Sequence, residues 1–496
     1  MGTRVCEVAV VGAGPAGLAA AVEAAGAGLD VVLVDAAAQP GGQFWRHYDE
    51  RFARPGDLAG QHGRSAFTRL RERLHRLREE GRIRYLTGHQ VWLAARDEAG
   101  TFTLRLTPTV PGLNGAASVG ESGRPEDNTA DGEGRWEAVT ARALILCPGG
   151  HDRHLPLPGW ELPGVMAAGG VQALLKGHRA LAGRRAVVAG TGPFLLPVAV
   201  GLARAGARVA TVAEANRTRG WLGHPVGAMS APGKGVEAAG YAAALARHRV
   251  PYRTGTAVRE ILGDGRVEAV RIGRVDREGR PAGLAREVPA DLVALGWGFT
   301  PSLELPLMLG ASTRVDIDGS LVVAVDGRQR SSVEGVYVAG EATGVGGAAL
   351  AVAEGRLAAL ALAAPENAAA IRHLRARVRR ARRFAAAMHR AYPVPAAWPQ
   401  WLADDTVVCR CEEVRYGELR AAHEELGAAD ARTLKMLARP GMGWCQGRMC
   451  GFATAGLAAC QQGRPVTESD LRALSTRTPA FPVPLSALAA LSDPPK

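Results

Sequence analysis

Two runs of this chain share one pattern of apolar and polar positions. VCEVAVVGAGPAGLAAAVEAAGAGLDVVLVD, from Val5 to Asp35, is a strand-length apolar run, a glycine turn, an alanine-rich stretch and a second apolar run closed by an acid. It predicts strand, turn, helix, strand. GRRAVVAGTGPFLLPVAVGLARAGARVATVAEANR, residues 183–217, repeats the order. Further on, Ile371, Leu374, Val378, Ala381, Ala385, Met388 and Tyr392 step by three and four, which predicts one helix with a single apolar stripe. YPVPAAWPQWLADD then reads as a connector. Beyond it, TVVCRC reads as extended, and EEVRYGELRAAHEELG and DARTLKMLARPG as two short helices. The chain is therefore α/β, with a small helical segment at its end.

The first turn carries recognisable chemistry. Gly12, Gly14 and Gly17 form G-x-G-x-x-G. The first glycine permits the tight turn, the second lets a pyrophosphate approach the backbone, and the third lets helix and strand touch. The anion then meets free N–H groups at the helix N-terminus. Asp35 ends the next strand, where it can accept a ribose hydroxyl. The second turn has Gly190, Gly192, Pro193 and, after its strand, Glu214, but Leu195 stands at the third glycine. A branched side chain there should hold the helix away from the strand. The second fold is thus expected to be a working NAD(P)H site, a site for another adenine nucleotide, or a retained scaffold.

Composition adds limits. The chain has 496 residues, room for about three domains, and 47% hydrophobic residues, an ordinary globular share. The net charge is +12, almost all from Arg; the lysines are Lys176, Lys234, Lys435 and Lys496. That is read first as compositional bias. Between Arg372 and Arg390 there is no acid. The apolar stripe favours a docked helix with a solvated or partner-facing basic side, and no nucleic-acid partner is expected. Val5 to Val11 runs straight into the glycine turn, so it reads as a strand and not as an export signal. Ala348 to Ala364 holds Glu354 and Arg356 and is too short to span a bilayer. A cytoplasmic protein is expected, not transmembrane, with peripheral membrane association left open. PGLNGAASVGESGRPEDNTADGEGR, 111–135, reads as a surface loop.

Four of the 7 cysteines cluster late, Cys409 and Cys411 as C-x-C, Cys445 and Cys450 as C-x4-C. On an extended segment, residues two apart point the same way, so Cys409 and Cys411 are expected to reach one centre. Gly441, Gly443, Gly447 and Gly451 leave the second pair's loop free to fold and aim N–H groups at sulfur. In a reducing compartment this favours a metal or redox centre over disulfides. Spacing leaves zinc and a 2Fe-2S cluster both open and leans to the cluster, because C-x-C is tight for one tetrahedral ion. Cys460 reads as packing on the following helix. Cys6 and Cys147 are isolated, so a disulfide-reductase pair over a flavin is not expected. His47, His151, His154 and His224 are scattered through loops, and no acid–base constellation is found; catalytic residues are left unknown.

PGGQFWRHYD after Asp35, LILCPGGHDRHLPLPG at 144–159 and GVYVAGEATGVGGAALAVAEGRLAAL near 340 resemble the flavoprotein superfamily that includes glutathione and thioredoxin reductases. The resemblance implies two Rossmann-like dinucleotide-binding domains and a FAD site. It would be formed by Gly12, Gly14, Pro15, Gly17, Asp35, Gly41, Gly42, Gln43, Val91, Gly149, Gly340, Glu341, Gly347 and Ala348. Glu341 departs from the usual Asp, and Cys147-Pro148-Gly149 from the usual Ala-Thr-Gly. Gly296, in DLVALGWGFTPSLELPLMLG, joins the second nucleotide set. The implied layout is a FAD domain at 1–155 and 290–363, a second dinucleotide domain at 156–289, a basic helix and linker at 364–404, a 2Fe-2S domain at 405–475 and a tail at 476–496.

CRCEEV and CQGRMCG are similar to the bacterioferritin-associated-ferredoxin type of 2Fe-2S domain. With LPGWELPGVMAAGGVQALLK and GTGPFLLPVAVGLARAGARV, the chain resembles a family made up of the A-type (alpha) subunits of opine oxidases, the B-type subunits of hydrogen cyanide synthases and dye-linked proline or hydroxyproline dehydrogenases. That resemblance implies Cys409, Cys411, Cys445 and Cys450 as cluster ligands. It also implies a substrate-oxidising partner subunit resembling D-amino-acid oxidase, with a small ferredoxin-like chain as a further candidate partner. The expected role is to pass electrons from the partner, which oxidises an amino acid, imino acid or opine, to an acceptor. The alternative is a self-sufficient NAD(P)H-dependent FAD/2Fe-2S reductase; an iron–sulfur sensor or scaffold is a third reading.

Overall fold

The computed structural model describes residues 2–52, 62–109 and 136–489, so the loop expected at 111–135 lies outside the described residues. The first βαβ unit is β1 (Gly2–Val11), α1 (Pro15–Gly26) and β2 (Val31–Val34). α2 (Arg64–Glu79) leads to β3 (Ile83–Leu86), β4 (His89–Arg96), β5 (Phe102–Pro108) and β6 (Trp136–Leu146). One sheet runs β3-β2-β1-β6-β5-β4. β1 to β3 are parallel; β2 and the end of β1, Val8–Val11, are buried on both faces and read as unbroken apolar runs, whereas β4 and β5 are antiparallel and largely alternate.

The chain leaves this sheet through β7 (Gly150–Asp152) and builds a second one from β8 (Val165–Ala167), β9 (Arg185–Gly190), β10 (Arg208–Glu214) and β11 (Tyr252–Thr254), with α3 (Ala168–His178) and α4 (Leu195–Arg204) between them. After β10 come α5 (Pro225–Met229) and α6 (Pro232–Arg247). A three-stranded antiparallel sheet of β12 (Thr256–Leu262), β13 (Ala269–Val275) and β14 (Pro281–Pro289) follows, and β15 (Leu292–Gly296) completes the parallel order β11-β10-β9-β15-β8. β16 (Phe299–Pro301) returns beside β7, Thr300 opposite His151, so the outgoing and returning segments hold each other.

α7 (Glu304–Met308), β17 (Thr313–Val315) and β18 (Leu321–Val323) precede β19 (Val336–Val338), which pairs with the end of β6 in the first sheet. α8 (Ala348–Ala363) packs on α1 so closely that a Cβ at Gly355 would stand 2.0 Å from the Ala16 carbonyl oxygen. α9 (Ala368–Ala391) lays Ile371 and Leu374 against Leu357 and Leu360 of α8, as its stripe predicts.

The C-terminal part is β20 (Val407–Cys409), β21 (Val414–Arg415), α10 (Tyr416–Glu424), α11 (Ala431–Ala438), α12 (Gly451–Gln461) and α13 (Glu468–Ser475). It is fastened to the rest of the chain at several points. Trp160 Nε1 donates to the Val407 carbonyl (2.5 Å), and Trp401 Nε1 to that of Gly279 (2.8 Å). Buried Arg153 pairs with Asp318 (2.8 Å) and lies over the Phe452 ring (4.2 Å). Buried Glu304 takes both Arg448 (2.8 Å) and Arg477. A buried carboxylate is tolerated only with such partners. Among the described residues, no helix is long and apolar enough to cross a membrane.

Candidate functional site

The first glycine turn is built by contact. Gly12 has φ +97°, and a Cβ there would stand 2.3 Å from the Cys147 carbonyl oxygen; one at Gly17 would stand 1.7 Å from that of Gly12. Strand, turn and helix are therefore locked at a distance only glycine allows. α1 begins at Pro15, directly after Gly14, so its first N–H groups face the turn. The Gly41–Gly42 loop folds over this turn: Gly41 N–H donates to the Ala13 carbonyl (2.9 Å), and a Cβ at Gly42 would stand 2.8 Å from Gly14 Cα. Asp35 accepts from Ala13 N–H and, at 2.7 Å, from Ala37 N–H. Burial pushes its carboxyl above the usual range, against the pull of those donors and of Arg46. Gln43 is exposed and accepts from Arg46 (3.1 Å).

The distant segments return to the same helix end. Gly340 has φ +82°, and a Cβ on it would stand 3.1 Å from the Ala16 Cβ. Glu341 turns back to accept from Gly346 N–H (3.3 Å) and Gly347 N–H (3.0 Å), just before Ala348 opens α8; burial pushes it up to about 7. The longer side chain thus caps the loop that an Asp would reach less easily. Gly149 has φ +71°, with open space where a side chain would be. The Val91 side chain is buried in the core on β4, two residues after His89, whose N–H donates to the Asp35 carbonyl (3.0 Å). A cradle of glycine backbone around a helix N-terminus, with an acid at its edge, fits FAD, which the chain would hold through its pyrophosphate and ribose.

One network under this cradle escaped the sequence reading. Glu354 of α8 is buried and accepts from Gly340 N–H (3.0 Å), Thr343 Oγ1 (3.1 Å) and Arg382 Nε (2.9 Å). Arg382 also donates to the Gly344 carbonyl and to Thr343 Oγ1, both at 2.7 Å. One arginine of the basic helix therefore faces inward and holds the loop of Glu341. The available signal was Glu354 itself, the one acid in a helix that is apolar but for Glu354 and Arg356.

The second turn is built differently. Gly190 and Gly192 have φ +139° and +92°, and a Cβ at Gly190 would stand 1.8 Å from the Gly296 carbonyl oxygen. Pro193 is exposed. Leu195 is fully buried and opens α4; its Cδ2 lies 3.0 Å from where a Gly296 Cβ would be. Glu214, fully buried, accepts from Gly192 N–H and Asn216 N–H, both at 2.8 Å, and burial pushes it up to about 7.

The cysteine expectation is corrected. The extended segment stops at Cys409, so the two-residue rule does not carry to Cys411: Cys409 is buried and Cys411 exposed. The thiols interact unequally. Cys450 hydrogen-bonds Cys409 and, with Gly441 N–H (3.5 Å), holds its thiol down at about 6; Cys411 interacts with Cys445 and Cys409, and Cys450 with all three of the others. Among the described residues, no group of three or more His, Cys, Asp or Glu side chains is placed to hold a metal ion. The 2Fe-2S cluster on Cys409, Cys411, Cys445 and Cys450, and with it the iron–sulfur nature of the C-terminal domain, is therefore not upheld. Cys460, expected to pack, is exposed. His47, expected in a solvated loop, is buried, with Nδ1 at 2.7 Å from the Trp45 carbonyl and Nε2 at 3.0 Å from Glu50. Burial lowers His151 and His154 to about 4.

Against known proteins, residues 6–356 match the family described as pyridine nucleotide-disulphide oxidoreductase. Hydrogen cyanide synthase subunit HcnB of Pseudomonas aeruginosa is 34% identical over 96% of this chain and 97% of its own. The A-type subunit of opine oxidase from Rhizobium meliloti is 32% identical over 98% of each. Among solved structures, L-proline dehydrogenase from P. horikoshii superposes with a TM-score of 0.65 at 18% identity, over 98% of this chain and 80% of that one.

Proposed function

The chain belongs to the pyridine nucleotide-disulphide oxidoreductase family, in the group of HcnB and the A-type subunits of opine oxidase, and is a FAD-dependent oxidoreductase; on that premise we propose that it is one subunit of a heteromeric complex oxidising amino-acid-like substrates. The observation that carries this reading is the cradle around α1, which gathers Gly12–Gly17, Gly41–Gly42 and Gly340 at one helix end, in a chain matched along nearly its full length by subunit-named relatives. FAD, when bound, supplies two-electron chemistry. The protein's own residues orient it: Asp35 at the ribose end, the glycine backbone at the pyrophosphate, and the loop of Glu341, braced by Glu354 and Arg382, at the other end.

Two electron routes fit. In one, a companion flavin subunit oxidises the substrate and this chain receives the electrons. In the other, NAD(P)H binds the second fold and reduces the FAD directly. The match to a pyridine nucleotide family supports the second route more directly, and the intact Gly190–Gly192 turn agrees with it; the buried Leu195 weighs against it. Anaerobic spectra decide between them. Bleaching of the flavin by NAD(P)H alone establishes the direct route. Bleaching only by a substrate amino acid, and only with the companion present, establishes the relay. A chain that purifies with neither flavin nor companion overturns the reading.

A further inference from the structure

The segment after β10 leaves the second sheet and crosses to α9. Its attachment is close and one-sided. A Cβ at Gly227 would stand 2.4 Å from the Ala387 Cβ, and one at Gly220 would stand 2.7 Å from the Ala391 carbonyl oxygen. Trp221 stacks on Phe384, centroids 5.6 Å apart, and Arg380 Nε donates to the Ser230 carbonyl (2.6 Å). The side chains not used in this attachment are apolar and open. Leu222, Val226, Met229 and Val236 are 79%, 76%, 77% and 75% exposed. Val226 and Met229 are three apart on α5 and share a face, with Leu222 in the short 3-10 turn (Thr218–Gly223) just before it. α6, where Val236 sits, buries only Leu245.

Single exposed apolar residues are ordinary, but a cluster of them marks an interaction site. What borders this cluster narrows the occupant. Arg379 and Arg383 of α9 are exposed beside α5, on a helix with no acid between Arg372 and Arg390. In a symmetric pair of identical chains this patch would meet itself and set arginine against arginine. Nucleic acid would answer the arginines but leave the apolar centre unmatched, since such interfaces are more polar.

We propose that Leu222, Val226, Met229 and Val236, with Arg379 and Arg383 alongside, dock the companion subunit through a surface whose apolar centre is framed by carboxylates. This rests on the heteromeric reading above. The apolar centre supplies affinity, and the arginines supply orientation and rate of encounter.

The test uses the full-length tagged chain, purified from its own cells, with the flavoprotein that accompanies it in stoichiometric amount. Val226→Glu with Met229→Glu is expected to lower the companion-to-chain ratio about tenfold or more, with FAD content unchanged. Arg379→Glu with Arg383→Glu is expected to lower it as well and to abolish its dependence on salt. Leu284→Glu, at a 97% exposed position on β14, is expected to leave it unchanged. A wild-type companion ratio in the Val226/Met229 variant, with FAD bound, overturns the docking face alone. Should that variant lose FAD, the arginine pair decides, and an unchanged ratio there overturns the proposal. A self-dimer of the isolated chain that the Val226/Met229 variant abolishes also overturns it. A wild-type chain that brings down no companion is distinct from all of these, because it removes the heteromeric reading and the docking face with it.

Discussion

The two dinucleotide folds differ at the third glycine position, Gly17 against Leu195, and the consequences spread through each turn. In the first, α1 starts directly after Gly14, and Gly17 sits where a Cβ would be 1.7 Å from the Gly12 carbonyl oxygen. In the second, Pro193 and Phe194 intervene before α4 starts at Leu195, whose side chain fills space beside Gly296. The acids differ as well. Asp35 takes the N–H of Ala13, between the glycines, and leaves that of Gly14. Glu214, longer by one methylene, reaches the N–H of Gly192 itself (2.8 Å), the donor an incoming pyrophosphate would use. One turn is open to an anion; the other already holds a carboxylate.

The largest expected effect comes from making the first fold like the second. Gly17→Leu should abolish flavin absorbance and cost about 3 kcal/mol or more, because the clash is with backbone and no rotamer relieves it. The visible spectrum of the purified variant checks it, and retained FAD would break the comparison. The converse change, Leu195→Ala, empties a fully buried position and should cost about 2–5 kcal/mol in denaturant unfolding without loss of FAD.

Glu214 gives a pH test. Its folded pKa, about 7, lies above the ordinary 4.5, so between these values the folded state binds the extra proton. Stability is therefore greatest below the ordinary value and falls as pH rises through the window, by at most about 3 kcal/mol. Glu214→Gln should flatten that part of the wild-type slope and tighten adenine nucleotide binding at the second turn at pH 8, as read by unfolding curves and by calorimetry. An unchanged slope would show that the carboxylate is not held as described. The smallest effect belongs to Arg356 and Glu23, 2.9 Å apart and partly exposed across α8 and α1. Arg356→Ala should cost at most about 1 kcal/mol in a double-mutant cycle with Glu23→Gln.

Much of the cradle was legible because its signals are local. A glycine with φ +97° announces itself by being glycine, and the acid closing β2 follows from strand length. Val91 shows what burial adds: its side chain belongs to the core, so at the site it would have only its backbone to offer. The inward turn of Arg382 was hidden because a basic run on an amphipathic helix ordinarily faces water.

The order of strands and helices, the two glycine turns, their acids and the stripe of α9 follow from residues a few positions apart, where backbone sterics and periodicity act. The meeting of Glu354 with Arg382, the Gly340 loop at the end of α1 and the approach of Cys445 and Cys450 to Cys409 and Cys411 depend on segments far apart along the chain. Their partners are chosen by packing, which local patterns do not encode. At Cys409 and Cys411 the spacing allowed one centre; the strand ends at Cys409, and the fold buries the first thiol and exposes the second.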